Sequence, residues 1–249
     1  MTVPAPRGIG RVFADRAGRT APFDVAVVVP TIGRPELGRA LRSVFAQDFP
    51  GSVQILVGYD LNADRAEIDA IAAERPDRMS VLSLELPYST ARHNGGFHNA
   101  RCGAMRAILT FAAHARHVAY LDDDNLMLPS HLRLMAEAVR NRFWAFGRRI
   151  LVDGETGLDI AVDQWLSTGP GGGTMVMTSG FVDTGCLIVD KMMLAREIGL
   201  WASAIGGWAG RDTEDRNFYQ GIVHYPHGAV GEATVRYSLR RARTALWLH

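Results

Sequence analysis

The chain has little lysine, little cysteine and no long hydrophobic run. All but one of its 27 basic residues are arginine, Lys191 being the exception. Set against 26 acidic residues they leave a formal net charge of +1. No long-range field therefore draws nucleic acid to the chain, and none is expected as a partner. The arginine bias reads as genome composition rather than function. Cys102 and Cys186 are too few and too isolated for a disulfide framework or a zinc site. Both are expected as buried thiols in a reducing cytosol. The longest purely aliphatic run is Val25 to Val29, whereas a membrane span needs about 20 residues. No apolar stretch stands near the start, so no signal peptide is expected, and the expected location is cytoplasmic.

What is present is an ordinary globular composition, 47 % apolar and 21 % charged over 249 residues. A chain of this length buries roughly three quarters of its unfolded surface. Residues 1–22 lack periodicity and read as a loose arm. Val25–Val29 then reads as a strand buried on both faces. Pro35 suits a first helical position, and Leu37, Leu41, Val44 and Phe45 form one apolar helical face. Further strands are expected at Val53–Val57, Val81–Leu86 and Val118–Leu121, with helices over Ala66–Glu74 and Ala100–Ala115. Ser130 is placed as the cap of a helix carrying Leu132, Met135, Ala136 and Val139. This alternation predicts an α/β fold with a mainly parallel sheet covered on both faces.

Beyond Phe143 the pattern changes. Strands are expected at Trp144–Val152 and Cys186–Val189, a helix starting at Lys191 behind an Asp190 cap, and a last helix over Glu214–Gln220. Thr168–Gly180 is rich in glycine and reads either as a mobile substrate loop or as a linker. The expected division is thus a 1–22 arm, one domain in two parts at 23–140 and 141–235, and a 236–249 tail. Arg236, Arg240, Arg241 and Arg243 in the tail suit a solvated helix face, or contact with an anionic membrane surface or a phosphorylated acceptor.

The chemistry concentrates at Leu121-Asp122-Asp123-Asp124-Asn125. Three adjacent carboxylates raise one another's pKa, and a hard divalent cation such as Mg²⁺ or Mn²⁺ would relieve them. They end an aliphatic strand, where open parallel sheets bind ligands. The plain alternative is a solvated loop with a helix cap. Pro30 and Thr31 end the first strand and Asp60 the second, so a parallel sheet would bring all three places to one rim.

On these residues the chain resembles family 2 glycosyltransferases of the GT-A, Rossmann-like fold. VAVVVPTIGRPELGRALRSVFAQ (residues 25–47) resembles their opening, which implies that Pro30, Thr31 and Arg34 line a nucleotide pocket. LDDDN resembles their DxD motif, implying Asp122 near ribose and metal, Asp124 as metal ligand and Asp123 among the nucleotide-binding residues. Asn99 to Gly103 resembles the stretch before that strand, with Arg101 towards the nucleotide. Thr213-Glu214-Asp215 resembles the ED motif, implying Asp215 as general base with Glu214 beside it. Two departures stand out: Tyr59 precedes Asp60 where the family has two acids, and Cys102 replaces an asparagine, leaving donor preference open.

The resemblance implies transfer from a nucleotide diphosphate sugar to a glycan, lipid-linked or small-molecule acceptor, with inversion and Mn²⁺ or Mg²⁺. His224 is a candidate third metal ligand, set against the commoner surface role, and His227 follows it. His93 and His98 stand in a loop that could approach the donor. Trp201 and Trp208 are either sugar platforms or core, and Asp183 is a candidate sugar contact. The competing readings are a haloacid dehalogenase-type phosphatase, whose aspartate pair ends the first strand, a sugar nucleotidyltransferase, and an inactive nucleotide-sugar-binding module.

Overall fold

The computed structural model describes residues 10–13, 20–60, 65–86, 88–91, 96, 101–203 and 214–239. In chain order, β1 (Gly10–Phe13) and β2 (Phe23–Thr31) lead into α1 (Leu37–Phe45). β3 (Val53–Tyr59), α2 (Arg65–Ala73) and β4 (Met79–Glu85) follow. Then come α3 (Gly103–Ala112), β5 (Ala115–Tyr120), β6 (Leu126–Met127), α4 (His131–Ala138) and β7 (Trp144–Asp153). The remainder is β8 (Asp159–Val162), β9 (Gly169–Pro170), β10 (Gly180–Phe181), β11 (Leu187–Asp190), α5 (Glu214–Ile222) and β12 (His227–Leu239).

Among the described residues ten strands make one sheet, ordered β1-β4-β3-β2-β5-β11-β7-β12-β6, with β8 paired to β7. The block β4-β3-β2-β5 is parallel, as the alternation of strands and helices predicts. β11 runs antiparallel to both β5 and β7, and β12 lies parallel to β7. This is a mixed α/β fold.

The aliphatic strands are buried on both faces because each face has its own core. Val25, Val27 and Val29 of β2 pack with Leu37, Leu41 and Val44 of α1. Ala26 and Val28 turn the other way, into a cluster holding Met105 and Leu109 of α3, Trp201, and Phe218 of α5. Alternate residues of a strand point to opposite faces, so one continuous apolar run serves both layers.

Several boundaries differ from the sequence reading. Gly10–Phe13, inside the stretch expected as a loose arm, pairs antiparallel with β4. α3 starts at Gly103 rather than Ala100, because Arg101 has φ +42° and stands outside helical geometry. Ser130 precedes α4 but makes no side-chain cap bond. Asp190 does accept from the N–H groups of Met192 and Met193, yet the chain after it forms turns and then a 3₁₀ helix at Glu197–Ala202 rather than an α-helix. Part of the glycine-rich stretch is structured: β9 and β10 pair around a 3₁₀ turn at Gly173–Thr178. Gly180 there has φ +80°, and a Cβ on it would stand 2.1 Å from the Gly169 carbonyl oxygen. β12 was not expected at all, so Arg236 belongs to a strand and not to a helical tail. Among the described residues no helix is long and apolar enough to cross a membrane.

Candidate active site

The carboxyl ends of β2, β3 and β5 meet at one cleft of about 610 Å³. Register explains the meeting: β2 pairs in parallel with both β3 and β5, so the three strands end side by side. Pro30, Thr31 and Arg34 line the cleft from the first strand end, Asp60 from the second, and Asp122, Asp123 and Asp124 from the third. Arg101 joins from the turn just before α3. Glu214 and Asp215 arrive on the first turn of α5.

The three aspartates are held apart by different partners. Asp123 is buried; its Oδ2 accepts from the Thr31 hydroxyl at 2.6 Å, and its Oδ1 lies 3.2 Å from Arg34 Nη1. Burial pushes its pKa up, and the Thr31 hydroxyl and Arg34 oppose that rise. Arg34 Nη1 also donates to Asp124 Oδ2 at 2.6 Å. Asp122 turns the opposite way and accepts from Arg106 Nη2. Two arginines thus relieve much of the repulsion for which a cation alone was invoked. Asp122 and Asp124 nevertheless keep 28 % and 21 % of their side chains exposed. Asn125 buries its amide, and its Oδ1 accepts from the Ser238 N–H at 3.0 Å. That bond ties β12 to the motif and brings Tyr237 and Ser238 into the cleft wall.

Asp60 spends its carboxylate locally. It accepts from Ser89 Oγ at 2.7 Å and from the Thr90 N–H and hydroxyl at 2.5 and 2.9 Å. It therefore pins the 89–90 loop at the cleft edge.

The acidic pair on α5 divides. Glu214 points inward: its Oε1 lies 3.2 Å from Arg106 Nη1 and 3.8 Å from the Cys102 thiol, which donates to it. Burial raises the Glu214 pKa, Arg106 opposes the rise, and Asp215 adds to it. Burial likewise pushes the Cys102 thiol up to about 12, so it remains a thiol. Asp215 lines the cleft, and its Oδ1 accepts from the Arg216 N–H at 2.8 Å.

Arg106 is the residue that sequence reasoning missed. It is buried on α3, with its guanidinium 5.2 Å from the centre of the Trp201 ring. The signal was a lone arginine in an otherwise apolar helix, GAMRAILTFA. A second internal arginine, Arg149 on β7, donates to Asp163 at 2.8 Å and to Asp183 at 2.6 Å. Asp183, a weak expectation, does line the cleft.

The remaining late candidates among the described residues stand outside the cleft lining. His224 is not at the site: it is exposed in the turn after α5, with its ring 4.2 Å from that of Tyr225. From Asp215, α5 runs on to Ile222, about 10 Å along its axis, and His224 follows in the turn beyond. His227 opens β12 and packs on Trp144. Trp201 is core rather than a sugar platform: fully buried, stacked on Phe218 at 4.2 Å, and within 3.3 Å of the Tyr120 hydroxyl. Arg236 is bonded to Asp159 at 2.8 Å. Thr213, Trp208, His93, His98, Arg240, Arg241 and Arg243 lie outside the described residues.

The fold is that of GT-A-like glycosyltransferases. Solved structures similar to the chain include S. aureus TarS, at TM-score 0.62 and 14 % identity over 87 % of this chain. TarS residues 1–349 in complex with UDP superpose at 0.61 and 13 % identity, and in complex with UDP-GlcNAc at 0.60 and 14 %. This chain spans 37 % of the TarS chain in the first of these structures and 59–60 % of TarS 1–349. No protein-family model and no curated protein matches the chain.

Proposed function

We propose that the cleft takes a nucleotide diphosphate sugar and passes its sugar to an acceptor hydroxyl, in the manner of a family 2 hexosyltransferase. The observation that carries this reading is the convergence of Thr31, Arg34, Arg101, Asp122, Asp124 and Asp215 on one cleft. The likeness to TarS, solved with UDP and UDP-GlcNAc, supports it.

Asp122 and Asp124 suit Mn²⁺ or Mg²⁺, which take one or two carboxylates and complete their shell with water and substrate phosphates. Such an ion, when bound, neutralises charge on the departing diphosphate. Arg34 and Arg101 offer guanidinium forks to phosphate oxygens. Asp215 takes the proton of the acceptor hydroxyl as that oxygen bonds to the anomeric carbon. The sugar–phosphate bond breaks with its electron pair leaving on the diphosphate, so the displacement inverts the anomeric centre.

The test is UDP release from UDP-GlcNAc by the wild-type protein with Mn²⁺, with and without added glycans. Release that an added glycan accelerates supports the reading. No release from UDP-GlcNAc or any other nucleotide diphosphate sugar contradicts it.

A further inference from the structure

Arg106 reaches the cleft wall from α3 but keeps only 3 % of its surface exposed. What it does at the cleft it must therefore do through its neighbours. Its guanidinium is held from three sides. Nη1 donates to Glu214 Oε1 on α5 at 3.2 Å, Nη2 donates to Asp122 Oδ1, and the centre of the Trp201 ring lies 5.2 Å away. These supports are fixed in turn. Trp201 stacks on Phe218 of α5 at 4.2 Å and donates to the Tyr120 hydroxyl at 3.3 Å. The same hydroxyl lies 3.3 Å from Thr110 Oγ1, which donates to the Arg106 carbonyl at 2.7 Å. A closed set of contacts through α3, α5 and the end of β5 thus fixes the guanidinium in place.

Two roles compete for such a group. A mere countercharge beside Asp122 would repel a cation and weaken its binding. A brace would set which way the Asp122 carboxylate faces, and so strengthen it. The geometry favours the brace. One guanidinium is divided between Asp122 and Glu214, so the acidic surplus of the motif stays in place. It stands between the two carboxylates, which would face one another and repel if it were removed. Asp122 is also held differently from its neighbours. Asp123 and Asp124 share Arg34, whose side chain is 30 % exposed, whereas the side chain of Arg106 is 4 % exposed. With Oδ1 of Asp122 pinned on the inner side, the exposed part of that carboxylate belongs to the cleft. Partners standing behind a metal-ligating side chain orient it in this way.

We infer that Arg106 is a positioning residue for Asp122: anchored by Glu214 and Trp201, it holds the Asp122 carboxylate in the orientation that receives the divalent cation of the bound nucleotide. The role rests on the transferase reading of the cleft and deepens it. Arg106 touches neither ion nor substrate; it acts by fixing the side chain that does. A lysine keeps the buried charge but is a single point, not a fork that spans two carboxylates, so it replaces the brace only in part.

Wild type, Arg106→Gln, Arg106→Lys and Tyr120→Phe are compared by thermal melt and then studied well below the lowest midpoint. UDP is titrated by calorimetry with and without Mn²⁺, and the ratio of the two Kd values gives the gain that the ion brings to each protein. Arg106→Gln is expected to lose about tenfold of that gain, the usual effect of removing a partner behind a metal ligand. Arg106→Lys should recover part of the loss. Tyr120→Phe loosens the same core by deleting the hydroxyl between Thr110 and Trp201, and should keep the gain of wild type. An unchanged gain in Arg106→Gln overturns the role, and a larger one shows a countercharge that merely repels the ion. A loss in Tyr120→Phe equal to that in Arg106→Gln overturns it too, because packing alone would then account for the effect. If Arg106→Gln does not fold, Arg106→Lys decides by the same criterion: a reduced gain supports the brace and an unchanged gain overturns it. Wild type that binds UDP without any gain from Mn²⁺ contradicts the metal motif, and the brace with it. A wild-type gain that survives in the Arg106 variants overturns the brace alone.

Discussion

Glu214 and Arg106 stand 108 residues apart in sequence and 3.2 Å apart in the fold. The same guanidinium reaches Asp122, so one buried charge joins the acidic motif after β5 to the acidic pair on α5. Removing one partner of a buried ion pair costs about 3–5 kcal/mol because the other charge is left uncompensated. Arg106→Met is therefore expected to lower the melting temperature by roughly 6–20 °C, at about 2–4 °C per kcal/mol for a domain of this size. Arg106→Lys, which keeps the charge, should cost less. Thermal melts of the three proteins check this; equal melting temperatures would mean the bridge contributes nothing to the fold.

The division of the α5 pair predicts unequal roles. Asp215→Asn is expected to lower kcat by about 10²–10⁴-fold, the usual worth of a placed proton acceptor, while UDP affinity stays the same. Glu214→Gln should act chiefly on stability, because Glu214 is turned towards Arg106. Steady-state kinetics beside melts of both variants separate the two. Full turnover in Asp215→Asn would remove it as the base.

Gly103 lets α3, α5 and the segment bearing Trp201 approach one another. A Cβ at this position would lie 1.9 Å from the Trp201 carbonyl oxygen and 2.8 Å from Glu214 Cβ. Gly103→Ala is expected to destabilise by about 1–3 kcal/mol, the range for overpacking, and to weaken turnover by shifting Glu214 and Asp215. Urea denaturation and kcat report the two effects.

Acidity offers a further check. Burial raises the Asp183 pKa to about 6, with Arg149 opposing and Asp122 and Asp215 adding to the rise, against an ordinary 3.8. Between those values the folded chain holds a proton that the unfolded chain releases. Stability contributed by this group is then full below about pH 4 and declines as pH rises to about 6. Asp183→Asn should flatten the fall in melting temperature from pH 4 to pH 6.5 relative to wild type. Parallel curves would contradict the shift.

The cleft wall formed at the ends of β2, β3 and β5 was legible because its signals are local. Val25–Val29 shows its double burial in a continuous aliphatic run, and Asp122–Asp124 show their position by ending another. The wall built after β7 was less so. β12 reads HGAVGEATVRYSL, in which glycines and polar residues break the apolar pattern; it is held by long-range pairing to β7 and by the Asn125–Ser238 bond. Tyr237 was lost with it. Arg106 resembled an exposed helical arginine, since periodicity shows a face and not the partner that burial supplies. Trp201 stayed open for the converse reason: an aromatic beside the acidic pair suits a sugar or a core equally well until packing decides. His224 lies near Asp215 in sequence, but the length of α5 separates them in space.

The most direct test is calorimetric titration of UDP, with and without Mn²⁺, into wild type and Asp124→Ala. Saturable binding that strengthens with Mn²⁺ in wild type, and loses that gain in Asp124→Ala, is the predicted result. Absence of saturable UDP binding, or binding indifferent to both the ion and the substitution, would contradict the assignment of Asp122–Asp124 as the metal–nucleotide motif.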